Sequence, residues 1–398
     1  MKIKSVKTAD VKDKQVLVRV DFNVPMENNK VTDDTRITEA LPTINYLLEK
    51  GAKVILMSHL GRPDGKIVEN LKLDPIAEKL SELIEKPVKK LNDCIGPEVE
   101  QAIKNMRTGE IILMENTRFH PEEENCDKEF SKKLASLGQL AVIDSFGTAH
   151  RKHASTYGIA RFIPAYAGLL VEKEINALSN LMEHTERPFV IIMGGSKIQT
   201  KIGVMKNFLG KADHFLVGGG LANTFLAAKG FNVGDSLYEK DQIPTAQEIM
   251  LETETMHGEF HLPIDAVVAD EITVTAKTLD IPVEDTEGKM KILDIGRNTI
   301  TEFETIIAKA KTIIWNGPVG LFENEKFSRG TRHIAVAVAN ATSNNNAKTI
   351  IGGGDTIDAI NNFGMDLNKY THVSTGGGAM LEFLEGTMLP GIEIILEK

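Results

Sequence analysis

The chain is poor in the features that mark several whole classes of protein. It has only two cysteines, Cys94 and Cys126, too few for a disulfide framework and without the paired spacing of a zinc site, which fits a reducing compartment. No apolar run approaches the roughly 20 residues needed to cross a bilayer. The first residues, from Met1 to Val20, mix Lys and Asp with small apolar side chains and build no secretion-signal core, so the expected location is the cytoplasm. Positive charge is not in excess: 46 Lys and Arg stand against 56 Asp and Glu, a net charge of −10. That balance argues against a broad nucleic-acid or membrane footprint and leaves small molecules as the expected partners. Short repeats and low-complexity tracts are also missing, which excludes solenoids and propellers.

What is present is a rhythm. Apolar runs of four to six residues recur, each closed by Gly, Pro, Asp or a cation and separated by helix-length segments, the pattern of parallel α/β architecture. In the first part the runs are Val16 to Val20, Lys53 to Met57, Ile111 to Met114 and Leu140 to Ile143, with Asp74 to Glu85 as a helix between. In the second they are Phe189 to Met193, His214 to Val217, Ala266 to Ala269, Thr312 to Trp315, Thr349 to Ile351 and His372 to Val373. Continuous rather than alternating runs need both faces buried, which predicts two parallel sheets. Between the two parts, Gly168 to Glu183 places Val171, Ile175, Leu178 and Met182 on one helical face, a connecting helix.

Ligands of open parallel sheets bind beyond the carboxyl ends of the strands, so the residues after each run form the candidate site. In the first part these are Asp21, Phe22 and Asn23; Ser58, His59, Leu60, Gly61 and Arg62; Glu115 to Arg118; and Asp144 to His153, including His150 and Arg151. With Arg36 added, four arginines and two histidines are available to one rim. Guanidinium forks match phosphate and carboxylate, which implies a small polyanion; the bland alternative is surface ion pairing with neighbours such as Glu115 and Asp144.

In the second part glycine follows strand after strand: Gly194-Gly195-Ser196-Lys197, Gly218-Gly219-Gly220, Asn316-Gly317-Pro318, Gly352-Gly353-Gly354-Asp355-Thr356 and Ser374-Thr375-Gly376-Gly377-Gly378. Glycine lets backbone amides approach phosphate, and a following helix adds its positive end, so this edge reads as a nucleotide rim. Lys197 and Lys201, four apart at an expected helix start, either both reach phosphate or are both solvated. Asp355 either serves Mg2+ or caps a helix. Neither a Walker loop, a dinucleotide fingerprint, the protein-kinase motif set nor a Ser-His-Asp order occurs. A transfer whose nucleophile is already an anion needs positioning and charge stabilisation but no base, which fits a phosphotransferase with separate anion and nucleotide domains.

Seven segments then carry a resemblance. Arg19-Val20-Asp21-Phe22-Asn23-Val24-Pro25, Asp34-Thr35-Arg36-Ile37, Ser58-His59-Leu60-Gly61-Arg62-Pro63, Glu115-Asn116-Thr117-Arg118-Phe119, Phe146-Gly147-Thr148-Ala149-His150-Arg151, Trp315-Asn316-Gly317-Pro318 and Gly352-Gly353-Gly354-Asp355-Thr356 resemble the phosphoglycerate kinases, in order and from end to end. The resemblance implies reversible, Mg2+-dependent phosphoryl transfer between 1,3-bisphosphoglycerate and ADP, giving 3-phosphoglycerate and ATP, by a cytoplasmic monomer. It implies two Rossmann-like three-layer α/β/α domains: residues 1–167 for 3-phosphoglycerate, a hinge helix at 168–186, and 187–380 for the nucleotide, with about 381–398 returning to the first domain.

By the same resemblance Asp21, Phe22, Asn23, Arg36, His59, Leu60, Gly61, Arg62, Arg118 and Arg151 form the substrate site, with Arg36 also steadying the transferring group. Lys197 contacts that group and Lys201 the nucleotide phosphates; Glu323 holds the ribose; Ile292 and Asn316 line the nucleotide site. Gly353, Gly354, Asp355 and Thr356 hold phosphates, Asp355 the Mg2+, and the amides of Gly376 and Gly377 complete the cradle. Two departures stand out: Gln199-Thr200 where the family usually has Ser-Asp, and Ile292 near a position that is often glycine. The alternatives are an acyl-phosphate-forming kinase for another acid and a two-domain anion-binding protein without chemistry.

Overall fold

A computed structural model describes residues 1–397, which divide into two compact units: Met1–Asn176 with the segment from Met388 onward, and Ala177–Thr387. The first unit holds strands β1 (Gln15–Val20), a small hairpin of β2 (Met26–Glu27) and β3 (Lys30–Val31), β4 (Lys53–Met57), β5 (Val88–Lys90), β6 (Ile111–Leu113), β7 (Leu140–Asp144) and β8 (Ala165–Ala167). Its sheet runs β5-β6-β4-β1-β7-β8 and every pairing in it is parallel. Valines 16, 18 and 20 of β1 are fully buried with the leucines and isoleucines of neighbouring strands, so the apolar continuity of β1 comes from cover on both faces.

Helices of this unit are α1 (Thr35–Glu49), α2 (Asp74–Ile84), α3 (Pro97–Lys104), α4 (Pro121–Glu124) and α5 (Lys128–Ala135). In α2, Asp74 and Pro75 open the first turn, Ile76, Ala77, Leu80 and Ile84 make the buried stripe, and Glu85 closes it in the left-handed conformation. Next comes α6 (Leu169–Glu183), whose first half belongs to the first unit and whose last residues belong to the second. Its apolar stripe is real: Val171, Ile175 and Leu178 are fully buried. The buried Asp144, at the end of β7, accepts the amides of Leu170 and Val171 at 3.0 and 3.4 Å and so caps α6 from a distance. Burial pushes its carboxyl up to about 7.

The second unit contains β9 (Phe189–Met193), β10 (His214–Val217), β11 (Glu259–His261), β12 (Asp265–Ala269), β13 (Leu279–Pro282), β14 (Lys291–Ile295), β15 (Thr312–Asn316), β16 (Lys348–Gly352) and β17 (His372–Ser374). Its helices are α7 (Ile202–Phe208), α8 (Gly219–Ala228), α9 (Ile243–Thr255), α10 (Arg297–Ile307), α11 (Arg329–Asn345), α12 (Gly354–Asn362) and α13 (Gly378–Leu384). The main sheet is parallel, β11-β10-β9-β15-β16-β17. Connections leave β9 in one direction and β15 in the other, so the topological switch falls between these two strands.

Two expectations are corrected here. The run Ala266 to Ala269 is not in the parallel sheet: as β12 it pairs antiparallel with β13 and β14 in a separate three-stranded sheet. The run's apolar continuity reports burial and not the direction of its partners, and both β13 and β14 run against it. The return to the first unit begins at Met388, not near 381. Residues from Gly378 to Leu384 form α13, which packs on α7 and whose Leu384 carbonyl accepts Asn207 Nδ2 at 2.6 Å. Only then does α14 (Pro390–Glu393) reach back, with the Gly391 amide on the Ala149 carbonyl and the Lys4 amide on that of Ile395, both 2.8 Å.

Candidate active site

At the carboxyl end of the first sheet, Asp21 sits just past β1 and receives Arg36 Nη1 on Oδ2 at 2.5 Å. Asn23 turns its side chain across the rim to accept the Gly61 amide at 2.8 Å. The Gly61 carbonyl in turn accepts Arg118 Nη1 at 2.9 Å, and Arg118 Nε lies 3.1 Å from Glu124. Arg62 and Arg151 are exposed, and among the described residues neither guanidinium has an ion-pair partner. The two acids offered as neutralising neighbours are engaged elsewhere: Glu115 takes Lys90 and the amides of Leu73 and Asn116, and Asp144 caps α6. At this edge Arg36 and Arg118 are thus paired with Asp21 and Glu124, while Arg62 and Arg151 are exposed without an acid beside them.

Beneath them lies Arg19, fully buried in β1, with Nε donating to Ser155 Oγ at 2.8 Å and Nη1 to the Val20 carbonyl. Its Nη2 is 3.2 Å from His59 Nδ1. A guanidinium only donates, so His59 Nδ1 is the acceptor and the ring proton sits on Nε2. Burial first, then the charges of Arg19, Arg118 and Arg36, hold the His59 imidazole well below its ordinary range. Burial first, then the Arg151 charge, brings His150 down to about 4, and burial with the charges of Arg19, Arg118 and Arg151 brings His153 to about 3. These rings are neutral hydrogen-bonding groups at physiological pH.

In the second unit the switch point is built from backbone. Gly194 donates its amide to the Asn316 carbonyl at 3.0 Å and Gly195 to that of Pro318 at 2.9 Å. A Cβ on Gly194 would lie 2.1 Å from the Pro318 oxygen, and Gly317 has φ of +97°, so both positions require glycine. Beside this crossing opens a cavity of about 650 Å³. Its floor and polar rim are Gly195, Ser196, Gly219, Gly220, Glu323 and Asp355, and its walls are largely apolar, with Leu237, Tyr238, Ile292, Leu293, Val319, Leu321 and Phe322. A cleft with apolar walls and a polar, glycine-lined end, where no Cβ crowds the space, suits a flat base joined to phosphates.

The sequence profile described as "PGK: Phosphoglycerate kinase" matches residues 6–387. This chain belongs to the phosphoglycerate kinase family. The phosphoglycerate kinase of Dictyoglomus turgidum is 55% identical over 389 residues, 98% of this chain and 97% of that protein. That of Pelotomaculum thermopropionicum is 49% identical over 99% of both chains. Among solved structures, phosphoglycerate kinase from Coxiella burnetii aligns with a TM-score of 0.88 at 42% identity, covering 99% of this chain and 98% of its own. The Pyrococcus horikoshii enzyme gives 0.86 at 34% identity, again with 99% and 98% covered. The parallel α/β fold is thus that of phosphoglycerate kinases, and the protein is a kinase with their glycolytic activity.

Against that family background, several sequence-predicted site residues occupy different positions from those expected. Phe22 and Leu60 are buried in the core, 0% and 2% exposed, so what they can offer the rim is backbone. Both polar groups of Gly61 are taken, by Asn23 and Arg118. Lys197 and Lys201 do not share a helix face, because α7 starts only at Ile202. The turn before it, closed by Lys201 N to Ile198 O at 2.8 Å, leaves Lys197 exposed and turns Lys201 inward onto Asn316 Oδ1. Burial brings the Lys201 amine down to about 8, although Asp355 pulls the other way. Gln199 and Thr200 are exposed on that turn.

Asn316 is buried beside Gly353, with Nδ2 unpartnered, and does not line the cavity. Thr356 Oγ1 accepts the Gly317 amide at 2.8 Å, tying α12 to the strand crossing. Ile292 donates its amide to Ser236 Oγ at 2.8 Å and offers the cavity a side-chain wall. The Gly376 amide donates to Ser374 Oγ at 3.1 Å; Gly377, φ +52°, precedes α13. Gly354 and Asp355 are exposed at the head of α12, whose N-cap is Gly353. The Asp355 side chain makes no capping bond there and faces the cavity, a disposition that suits Mg2+, which takes one or two carboxylates and keeps water.

Sequence reasoning missed Arg19 as a site residue, although a cation inside an otherwise apolar strand was its visible signal. It also missed the apolar walls, which carry no chemical signature. No helix among the described residues is long and apolar enough to cross a membrane.

Proposed function

We propose that the arginine rim binds 3-phosphoglycerate and the glycine-floored cavity binds ATP or ADP, the two rims dividing the family's reaction between them. The observation that carries this reading is the set of arginine forks at the carboxyl end of the first sheet, of which Arg62 and Arg151 are exposed without an acid beside them. Arg62, Arg118 and Arg151 take the phosphate and carboxylate of the acid. His59, held as the Nε2–H tautomer, donates one hydrogen bond whose state is constant near neutrality. Asp21 and Asn23 fix the direction of Arg36 and of the Gly61 turn.

The acid's carboxylate attacks the terminal phosphorus of ATP in line. The nucleophile is already an anion, so the protein withdraws no proton and has to position and neutralise. Arg36 from the first rim and Lys197 from the second stabilise charge on the transferring oxygens, Lys201 and the amides near Gly353, Gly354 and Gly377 hold the remaining phosphates, and Glu323 takes the ribose. Asp355 is the residue that would hold Mg2+, which when bound supplies neutralisation of the phosphate charge. In-line transfer needs reacting atoms within about 3 to 3.5 Å. The two ligands are assigned to different units, and α6, which both units share, is the hinge across which they are brought together. The reading extends to a cytoplasmic monomer, in keeping with two free thiols and with one chain carrying both rims.

The test is ATP- and Mg2+-dependent formation of 1,3-bisphosphoglycerate from 3-phosphoglycerate, followed through a coupled NADH-consuming step. Turnover that EDTA abolishes, with the Michaelis constant for the acid raised by rim variants and that for ATP raised by cavity variants, is the expected result. Rim variants that leave the acid's affinity untouched would overturn the assignment.

A further inference from the structure

A second cluster of ligand-type side chains lies at the opposite, amino-terminal ends of strands in the second unit. His214 opens β10 and Glu259 opens β11, and the two are direct partners in the parallel ladder. His261 stands two residues after Glu259, on the same face of the sheet. Three atoms converge: His214 Nδ1 is 3.2 Å from His261 Nε2, and each nitrogen is 3.3 Å from Glu259 Oε2. From α10, Glu302 Oε1 approaches the other nitrogen of His261, Nδ1, at 2.9 Å.

Hydrogen bonding alone satisfies this triangle poorly. Glu302 fixes the proton of a neutral His261 on Nδ1, so Nε2 presents a lone pair to the centre. Glu259 presents a carboxylate oxygen. Only His214 can bring a proton, and its two acceptors lie 3.2 and 3.3 Å away, at and just past the long end of the hydrogen-bond range, so one of them is left unmatched. A cation at the centre would satisfy all three at once. Zinc held at about 2.0–2.1 Å by nitrogen and oxygen in tetrahedral geometry has ligand atoms about 3.3–3.4 Å apart, which is the spacing already present. We propose that His214, Glu259 and His261 form a binding site for a borderline-soft divalent cation, Zn2+ foremost, with Glu302 as the outer carboxylate that orients His261.

The site's build supports a tether rather than catalysis. All three of its ligands sit on two adjacent strands and the outer carboxylate on a helix, so the ligand atoms are placed before the ion arrives. Glu259 is 66% exposed, which leaves the fourth position to water and gives the ion a path in. An ion there would pin β11, the edge strand of the main sheet, to β10 and α10. A second cluster, Asp93, Cys94 and His120, is weaker: the Cys94 thiol donates to the Glu115 carbonyl at 3.0 Å, Asp93 pairs with His120 at 2.6 Å, and burial pushes the thiol well above its ordinary range.

The test uses the full chain, freed of metal by a chelator and titrated with Zn2+ by calorimetry in excess Mg2+, which occupies oxygen-only sites such as Asp355. One equivalent is expected, with affinity lowered at least tenfold in His261→Gln and by about 10- to 100-fold in Glu302→Gln, and unchanged in Cys94→Ser. Co2+ in place of Zn2+ should give the intense visible bands of tetrahedral coordination. On the unmodified chain, imidazole nitrogen NMR should show two rings shifting together at one equivalent, so the result does not depend on variants folding. Turnover with Mg2+ should be the same in every variant, since the cluster lies at the strand ends remote from the glycine rim. No Zn2+ binding, binding retained in His261→Gln, binding lost in Cys94→Ser, or an octahedral Co2+ spectrum would each overturn the proposal.

Discussion

The two units offer anions opposite kinds of welcome. In the first, side chains do the holding, and other side chains hold them: Arg36 on Asp21, Arg118 on the Gly61 turn, His59 on Arg19. In the second, the proposed phosphate end is mostly backbone, where glycines let the loops after the paired strands β9 and β15 approach closely, and the walls are apolar. A rim of the first kind is vulnerable to losing atoms. One of the second kind is vulnerable to gaining them.

That contrast can be broken at several points. Arg36→Ala should cost about 100- to 1000-fold in kcat, as for loss of one donor to a transition-state oxyanion, with a far smaller change in the Michaelis constants. Steady-state kinetics in both directions measure it, and an unchanged kcat with a raised KM would make Arg36 a ground-state binder. Gly194→Ala adds one methyl 2.1 Å from the Pro318 oxygen. It should lower stability by about 2–4 kcal/mol and weaken ADP, while 3-phosphoglycerate affinity is retained in whatever protein folds. Calorimetric melting and isothermal titration would show it, and equal loss of both ligands would erase the distinction between the rims.

Smaller effects sharpen it. Arg118→Ala and Arg62→Ala should each raise the KM for 3-phosphoglycerate about tenfold, equivalent to about 1.4 kcal/mol, without moving that for ATP. Lys201 should make the second rim pH-sensitive. Its amine titrates near 8, charged below and neutral above, so ADP affinity should fall a few-fold as pH rises through that value, with bound phosphates shifting the fall upward. Lys201→Arg, which stays charged, should flatten the profile in titrations between pH 6.5 and 9.5. The substrate affinity of the first rim should show no break between pH 6 and 8 beyond that of the substrate's own phosphate, whose second ionisation lies at about 6, because its histidines titrate far lower.

Much of this was legible in the residues before any coordinates. Strands such as Lys53–Met57 and Phe189–Met193 were bounded by their own apolar runs, and the arginines announced themselves by following strand after strand. The edge strands Val88–Lys90 and Glu259–His261 were not, because short edge strands carry charge and show no run. Antiparallel pairing of Asp265–Ala269 was invisible because apolar continuity reports burial and says nothing of a partner's direction. Spacing put Lys197 and Lys201 on one face, but the turn closed by Ile198 delays the helix. The roles of Asn316 and Thr356 were hidden for another reason: polar residues after a strand either meet a ligand or brace the loops that do, and composition does not distinguish them.

Arg19 has an effect beyond its own contacts. A permanently charged group sealed under His59 makes protonation of that ring costly, so the rim proposed for the acid carries a donor that ignores the acidity of its surroundings. If the surroundings turn acidic, the throughput of this step would follow the ionisation of the metabolites and of the amine in the other half. The rim proposed for the acid would stay set for substrate.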